Sequence, residues 1–158
     1  MPIYMKIDGI DGKVTAKEHE KWIEIDSIQW GVSRAISSAV GSAKDREASQ
    51  PSISEVNIIK DTDETSPHIF AEACIGKSKK VQIHWCGTNN NKIQTFMEYE
   101  LEDCIVSGYS VSASGEQSSE SLSLSFNKLM MKFIPHDNTG RALSPIPAGY
   151  DMVTGKKV

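Results

Sequence analysis

The sequence predicts a mainly β protein, a compact antiparallel β-barrel with one short α-helix and a long extended loop. Three observations carry that prediction. Apolar and polar residues alternate with a period of two along most of the chain, short turn signals separate the alternating runs, and only one stretch shows a helical repeat. Short, closely spaced, half-buried strands favour a barrel or sandwich, because closure hides backbone edges that would otherwise stay unpaired.

At the N-terminus Ile3, Met5 and Ile7 alternate with Tyr4, Lys6 and Asp8, and Asp8-Gly9 and Asp11-Gly12 supply turns. The run WIEIDSIQW, residues 22–30, reads as one strand. Residues 33–52 are small, polar and without period, and they exceed the ~12 to 15 residues of an ordinary structureless loop, so they are expected to be a functional or a disordered arm. Strands are expected at 54–59, 81–85, 93–101, 105–113 and 119–133, about seven or eight in all. Hairpins are expected at 87–92, where GTNNN stands, and at 114–119, which holds Ser114-Gly115.

The helix is placed at 66–75. Thr65 or Ser66 can cap it, Pro67 suits its first turn, and Ile69, Phe70, Ala73 and Cys74 share a face before Gly76. The tail from Pro135 has three prolines and no long periodic element, although Ile146, Tyr150, Met152 and Val153 could dock it. The whole of 1–158 is expected to be one domain, with 33–52 as its arm and 135–158 as a tail docked on the barrel.

With 158 residues the chain can enclose a core, and 39% hydrophobic against 24% charged residues is a globular balance. The net charge of −4 is spread along the chain, so no basic stripe is available for nucleic acid. The one basic cluster, Lys77, Lys79 and Lys80, reads as a solvated turn. Three cysteines without CxxC spacing suit a reducing cytosol and read as buried small apolar residues. No apolar run approaches the ~20 residues that span a bilayer, so membrane insertion is not expected, and the charged N-terminus lacks the apolar segment of a cleavable signal peptide.

Residues 71–78, AEACIGKS, imitate a phosphate loop, but a helix precedes them and a strand follows, the reverse of what phosphate binding needs. Gly76 is better read as the helix end. His84 and Cys86 share a strand face, and with Cys104 they form the one metal candidate; as a partly buried histidine beside an inert cysteine they need no metal. His19, His68 and His136 have no triad partners nearby, and Asp61, Asp63 and Glu64 suit a helix N-terminus. Trp22, Trp30, Trp85, Phe96 and Tyr99 fall in or beside strands and read as core or interface. No catalytic residue, cofactor or metal is assigned.

Four segments in order resemble the Hcp (haemolysin-coregulated protein) family of type VI secretion. IDGIDGKVTAKEHEKWIEIDSIQWGVSRA resembles its N-terminal glycine turn, histidine, tryptophan strand and WGVS element. SEVNIIKDTDETSPHIFAEACIGK resembles its strand, Ser-Pro helix start and Gly-Lys helix end. CIVSGYSVSASGEQSSESLSLSF and AGYDMVTGKKV resemble its Ser-Gly-Tyr-Ser and E-S-L-S-L strands and its closing segment. Lys13-Val14 and Ser118-Ser119 depart from common family residues at turn positions.

The resemblance implies a structural subunit of the inner tube, not an enzyme. It implies six-membered rings that stack, are expelled with a VgrG-like spike from inside a contractile sheath, and hold small effector proteins in the lumen. It implies assembly in the bacterial cytoplasm followed by secretion. A ring joins unlike patches of neighbouring copies, and a long arm is a natural source of one. Val40, Gly41, Ser42, Lys44, Asp45, Arg46, Glu47 and Trp30 are therefore expected at a subunit or ring-stacking interface. The alternatives are a monomeric barrel that carries a ligand or effector under the arm as a lid, and a metal-dependent hydrolase at His84, Cys86 and Cys104.

Overall fold

A computed structural model describes residues 1–38, 46–48 and 50–158, with 37, 38 and 46–48 as backbone only. The chain runs through β1 (Ile3–Ile7), β2 (Ile23–Ile25), β3 (Ser27–Gln29), β4 (Val32–Ser33), β5 (Ile36–Ser38), β6 (Arg46–Ala48), β7 (Ser52–Ile53) and β8 (Val56–Asp61). It continues through α1 (Ser66–Ile75), β9 (Lys79–Asn89), β10 (Lys92–Ala113), β11 (Ser118–Ser125), β12 (Lys128–Phe133), β13 (Ile146–Asp151) and β14 (Lys156–Lys157).

The strands pair antiparallel in two main sheets that share β10. One sheet has the order β2-β1-β9-β10-β12-β13-β14, and the other runs β10-β11-β8-β3. The first part of β10 pairs with β9 and β12, and its last part, from Ile105, pairs with β11. The register slips between Leu101 and Cys104, and Asp103 has a φ of 50°. An irregularity of that kind bends a strand and increases its twist, so the two expected strands 93–101 and 105–113 are one strand that turns from sheet to sheet.

Two further expected strands are each split at such a corner. Within 22–30 the chain leaves β2 for β3 at Asp26, whose N–H donates to Ile59 O at 2.7 Å. Within 119–133 it leaves β11 for β12 at Phe126-Asn127, where Asn127 N–H donates to Glu102 O at 3.1 Å. At each corner the inward positions shift by one, from Ile25 to Ile28 and from Phe126 to Leu129, a slip of the alternation that does not tell which strand becomes the new partner.

The expected closed barrel is corrected to an open pair of sheets. Closure would require one continuous strand between β1 and β8, but among the described residues β2 pairs only with β1 and β3 only with β8. Each piece is three residues long, too short to carry both ladders.

The inward faces share one core: Met5, Ile7, Ile23, Ile58, Val81, Ile83, Leu101, Leu122 and Leu124 are all buried, and Ile69 of α1 joins them. Each fully buried side chain of this size contributes about 1.5–3 kcal/mol. The hairpin between β9 and β10 turns on Asn90 and Asn91, with φ of 52° and 62°, the paired positive values of a type I′ turn.

Helix α1 has the expected bounds and ends at Gly76 with φ 70° and its N–H on Glu72 O. Its start differs: Thr65 is in the helical region and makes no side-chain cap bond. Thr65 Oγ1 instead donates to Asp63 Oδ1, and Ser66 Oγ accepts from Asp63 N–H. No acidic residue lies in the first turn.

Candidate functional site

The arm is a two-stranded ribbon where it is described. β4 pairs with β7 and β5 with β6, and its base is closed by Ser54 N–H donating to Gly31 O at 2.9 Å. Val32 and Ile36 are exposed apolar residues on it, 60% and 58% accessible. Of the expected interface residues, Val40, Gly41, Ser42, Lys44 and Asp45 lie outside the described residues, while Arg46 and Glu47 stand in β6 opposite Ser38 and Ser37.

Trp30 stands at the foot of this ribbon, half-buried against the main core. Its ring meets Tyr99 edge-on at 5.7 Å, and Tyr99 meets Trp85 at 5.5 Å. The arm is thus rooted in an aromatic row that belongs to the fold.

Other exposed apolar side chains are candidates that alternation did not distinguish. Phe70 and Ile75 project from α1, and Ile146 and Val153 from the tail. Ile146 and Val153 were expected to dock the tail, but only Met152 of that set packs against the core. The tail is held mainly by backbone pairing of β13 on β12. A Cβ at Gly149 would be crowded there, 2.7 Å from Met130 Sδ and 3.0 Å from Leu129 O.

Beneath α1 lies a buried ionic cluster. Lys60 Nζ donates to Glu120 Oε1 at 2.9 Å, Asp63 Oδ1 at 3.0 Å and Asp61 O at 2.8 Å. Ser66 and Tyr109 hydroxyls also donate to Glu120. Burial raises the pKa of Glu120, but these donors outweigh it and hold the carboxyl below its ordinary range. Tyr109 is pushed up to about 12 by burial and by its bond to that carboxylate. Every partner is structural: the cluster bolts α1 onto β11.

The metal candidate is not assembled. Cys86 faces away from the main core, beside Tyr4 and Trp22, whereas Cys104 is inside that core, its thiol pushed up to about 12 by burial. His84 turns instead to His19, with Nδ1 2.9 Å from His19 Nε2. No group of three metal-ligating residues is formed among the described residues. A cleft of about 370 Å³ is lined by Lys13, Glu24, Asp26, Asp61 and Asp63, and burial next to Asp61 raises the Asp26 carboxyl.

AEACIGKS sits as the chemistry required, with the helix before Gly76 and β9 after it. Lys79 pairs with Glu72 at 2.9 Å and Lys80 with Glu100 at 3.1 Å, so the basic cluster is partly paired within the fold.

The model of the family described as the type VI secretion system effector Hcp matches residues 4–133. The chain belongs to the Hcp family. Among solved structures, one described as a type six secretion system protein is 25% identical over 99% of both chains, with a TM-score of 0.91. Hcp1 from Salmonella typhimurium is 27% identical over 99% of this chain and 98% of its own, with a TM-score of 0.80. A type VI secretion system effector from Yersinia pestis, 20% identical with a TM-score of 0.74, shares the fold over 94% of this chain and 98% of its own. No curated protein matches the sequence. As an Hcp protein this chain is a secreted, tube-forming component of type VI secretion, a structural family and not an enzyme family. No helix among the described residues is long and apolar enough to cross a membrane.

Proposed function

We propose that the protein acts as a non-enzymatic building block that closes into six-membered rings and stacks them into the inner tube. One observation carries the reading beyond the family assignment. The arm and α1 present separate apolar surfaces, Val32 and Ile36 on one and Phe70 and Ile75 on the other, as a ring of unlike contacts needs. Residues 40–47 reach the neighbouring subunit or ring, and Trp30 anchors the base of that reach. Residues 1–158 act as one unit with the arm and tail attached. The tube would be assembled in the cytoplasm within a contractile sheath, leave without a cleavable signal peptide together with a VgrG-like spike, and carry small effector proteins in its lumen.

The test is the absolute mass of the purified, reduced protein by light scattering over a wide concentration range. A mass of six subunits supports the ring. A monomer at every concentration would overturn autonomous ring formation and favour the carrier alternative.

A further inference from the structure

Tyr4 and His84 are partners across β1 and β9, and with Cys86 they face away from the main core. The segment between β1 and β2 covers that face. Its backbone hydrogen bonds close on the segment: Gly12 N–H to Lys21 O, Lys21 N–H to Val14 O, and Val14 N–H to Trp22 O. Side chains provide its grip on the sheet. Trp22 packs 4.5 Å from the His84 ring, and His19, 3% accessible, lies 5.1 Å from Tyr4 with its Nε2 2.9 Å from His84 Nδ1.

We propose that the His19–His84 contact is an acid-released latch that holds residues 11–22 against the sheet. Two neutral imidazoles share one proton across this contact, one ring nitrogen donating and the other accepting. When both rings are doubly protonated, N–H faces N–H and two positive charges meet where Trp22 and Tyr4 exclude water. The contact then repels, and the segment has no backbone ladder to keep it in place.

The groups around the pair set the pH at which this happens. Lys17 and Glu18 approach from the segment itself, and Tyr4 and Cys86 from β1 and β9. Glu98 of β10 has Oε1 4.0 Å from His84 Nε2 and favours the charged ring; Lys132 of β12, 3.0 Å from Glu98 Oε2, opposes it. Lys92 and His136 line the opening beside the pair, about 480 Å³ in volume. Burial is the largest influence on both rings, holding His19 below its ordinary value and His84 at about 4.

Once the segment lifts, both His19 and His84 are free of the burial that depresses them and titrate near 6.5, so below that value the released state binds more protons than the latched one, and acid favours release. The latch concerns the fold of the subunit and does not depend on the ring reading.

The test is hydrogen exchange of residues 11–22 against 118–125 in the intact protein, corrected for intrinsic rates, across about pH 7.5 to 5. One unit of differential protonation is tenfold in an equilibrium. Protection of 11–22 is therefore expected to fall at least about tenfold more than that of 118–125. His84→Gln should flatten this dependence. Two surface variants that leave both rings in place separate titration from packing: Glu98→Gln, which removes a group favouring the charged ring in the latched state, should move the midpoint to higher pH and Lys132→Gln to lower pH. Equal loss of protection in both segments, or midpoints that neither surface variant moves, would overturn the latch.

Discussion

Lys60 Nζ lies 2.9 Å from Glu120 Oε1, and their side chains are 0% and 1% accessible. One residue comes from β8 and the other from β11, paired opposite each other in the ladder. The pair is completed by Asp63, Ser66 and Tyr109, so each charge is bonded to more than its counter-ion. A buried ion pair of this sort does not by itself strengthen a fold, yet it fixes which surface α1 docks against.

Removing one member leaves the other charge buried alone. Lys60→Met and Glu120→Leu are each expected to cost about 3–5 kcal/mol. The double substitution should be milder than the sum of the two, because the two fully buried charges leave together and Asp63, 17% accessible, keeps its Thr65 donors. Urea unfolding of the four proteins measures this; strictly additive losses would show that the pair is not coupled.

The same cluster predicts an acid response separate from the histidine latch. Asp63 and Glu120 are both held below the ordinary carboxyl range, burial being outweighed by their donors. A depressed folded pKa means that the stabilisation is present above about pH 4 and is lost as pH falls through the folded values. Thermal unfolding followed from neutral pH downward should show this loss below about pH 4, and Glu120→Gln should diminish it.

At the other end of the scale Tyr109 titrates at about 12, so the folded state keeps a proton that the unfolded chain releases near 10. Stability should decline as pH rises through that window. Tyr109→Phe should remove this share of the decline, readable in alkaline melting curves.

Two glycines separate conformational strain from collision. A Cβ at Gly12 would lie 2.2 Å from the backbone oxygen of Trp22, whereas at Gly76 it meets nothing within 4 Å and only the φ of 70° is unfavourable. Gly76→Ala should cost about 1 kcal/mol. Gly12→Ala should cost more, with the excess appearing as faster exchange in residues 11–22.

The proposed interface role of the arm is open to a deletion test. Deleting residues 40–48 is expected to reduce ring and tube formation, seen by light scattering and electron microscopy, while the melting temperature changes little. Rings that form unaltered would remove the arm from the interface.

Period-two alternation settled the class of this protein, because a strand must turn every second residue to the core whatever its neighbours are. Helix α1 was legible to the residue, since Pro67 and Gly76 are local conformational signals at its two ends. The family was legible too, through four ordered segments, three of which lie within the residues 4–133 that the family model matches. Tertiary structure alone decided which sheet each strand joins after a corner. The corners at Asp26, Asp103 and Asn127 arise because one core is enclosed by two sheets; each shifts the inward positions by one, from Ile25 to Ile28, Leu101 to Cys104 and Phe126 to Leu129, and that shift does not name the new partner strand. It also decided that His84 meets His19 and not Cys104: 65 residues separate the two histidines, and only the folding of residues 11–22 across β1 and β9 brings them within a hydrogen bond. Sequence spacing tells which face a side chain occupies on its own strand, and contact across strands depends on which strands become neighbours.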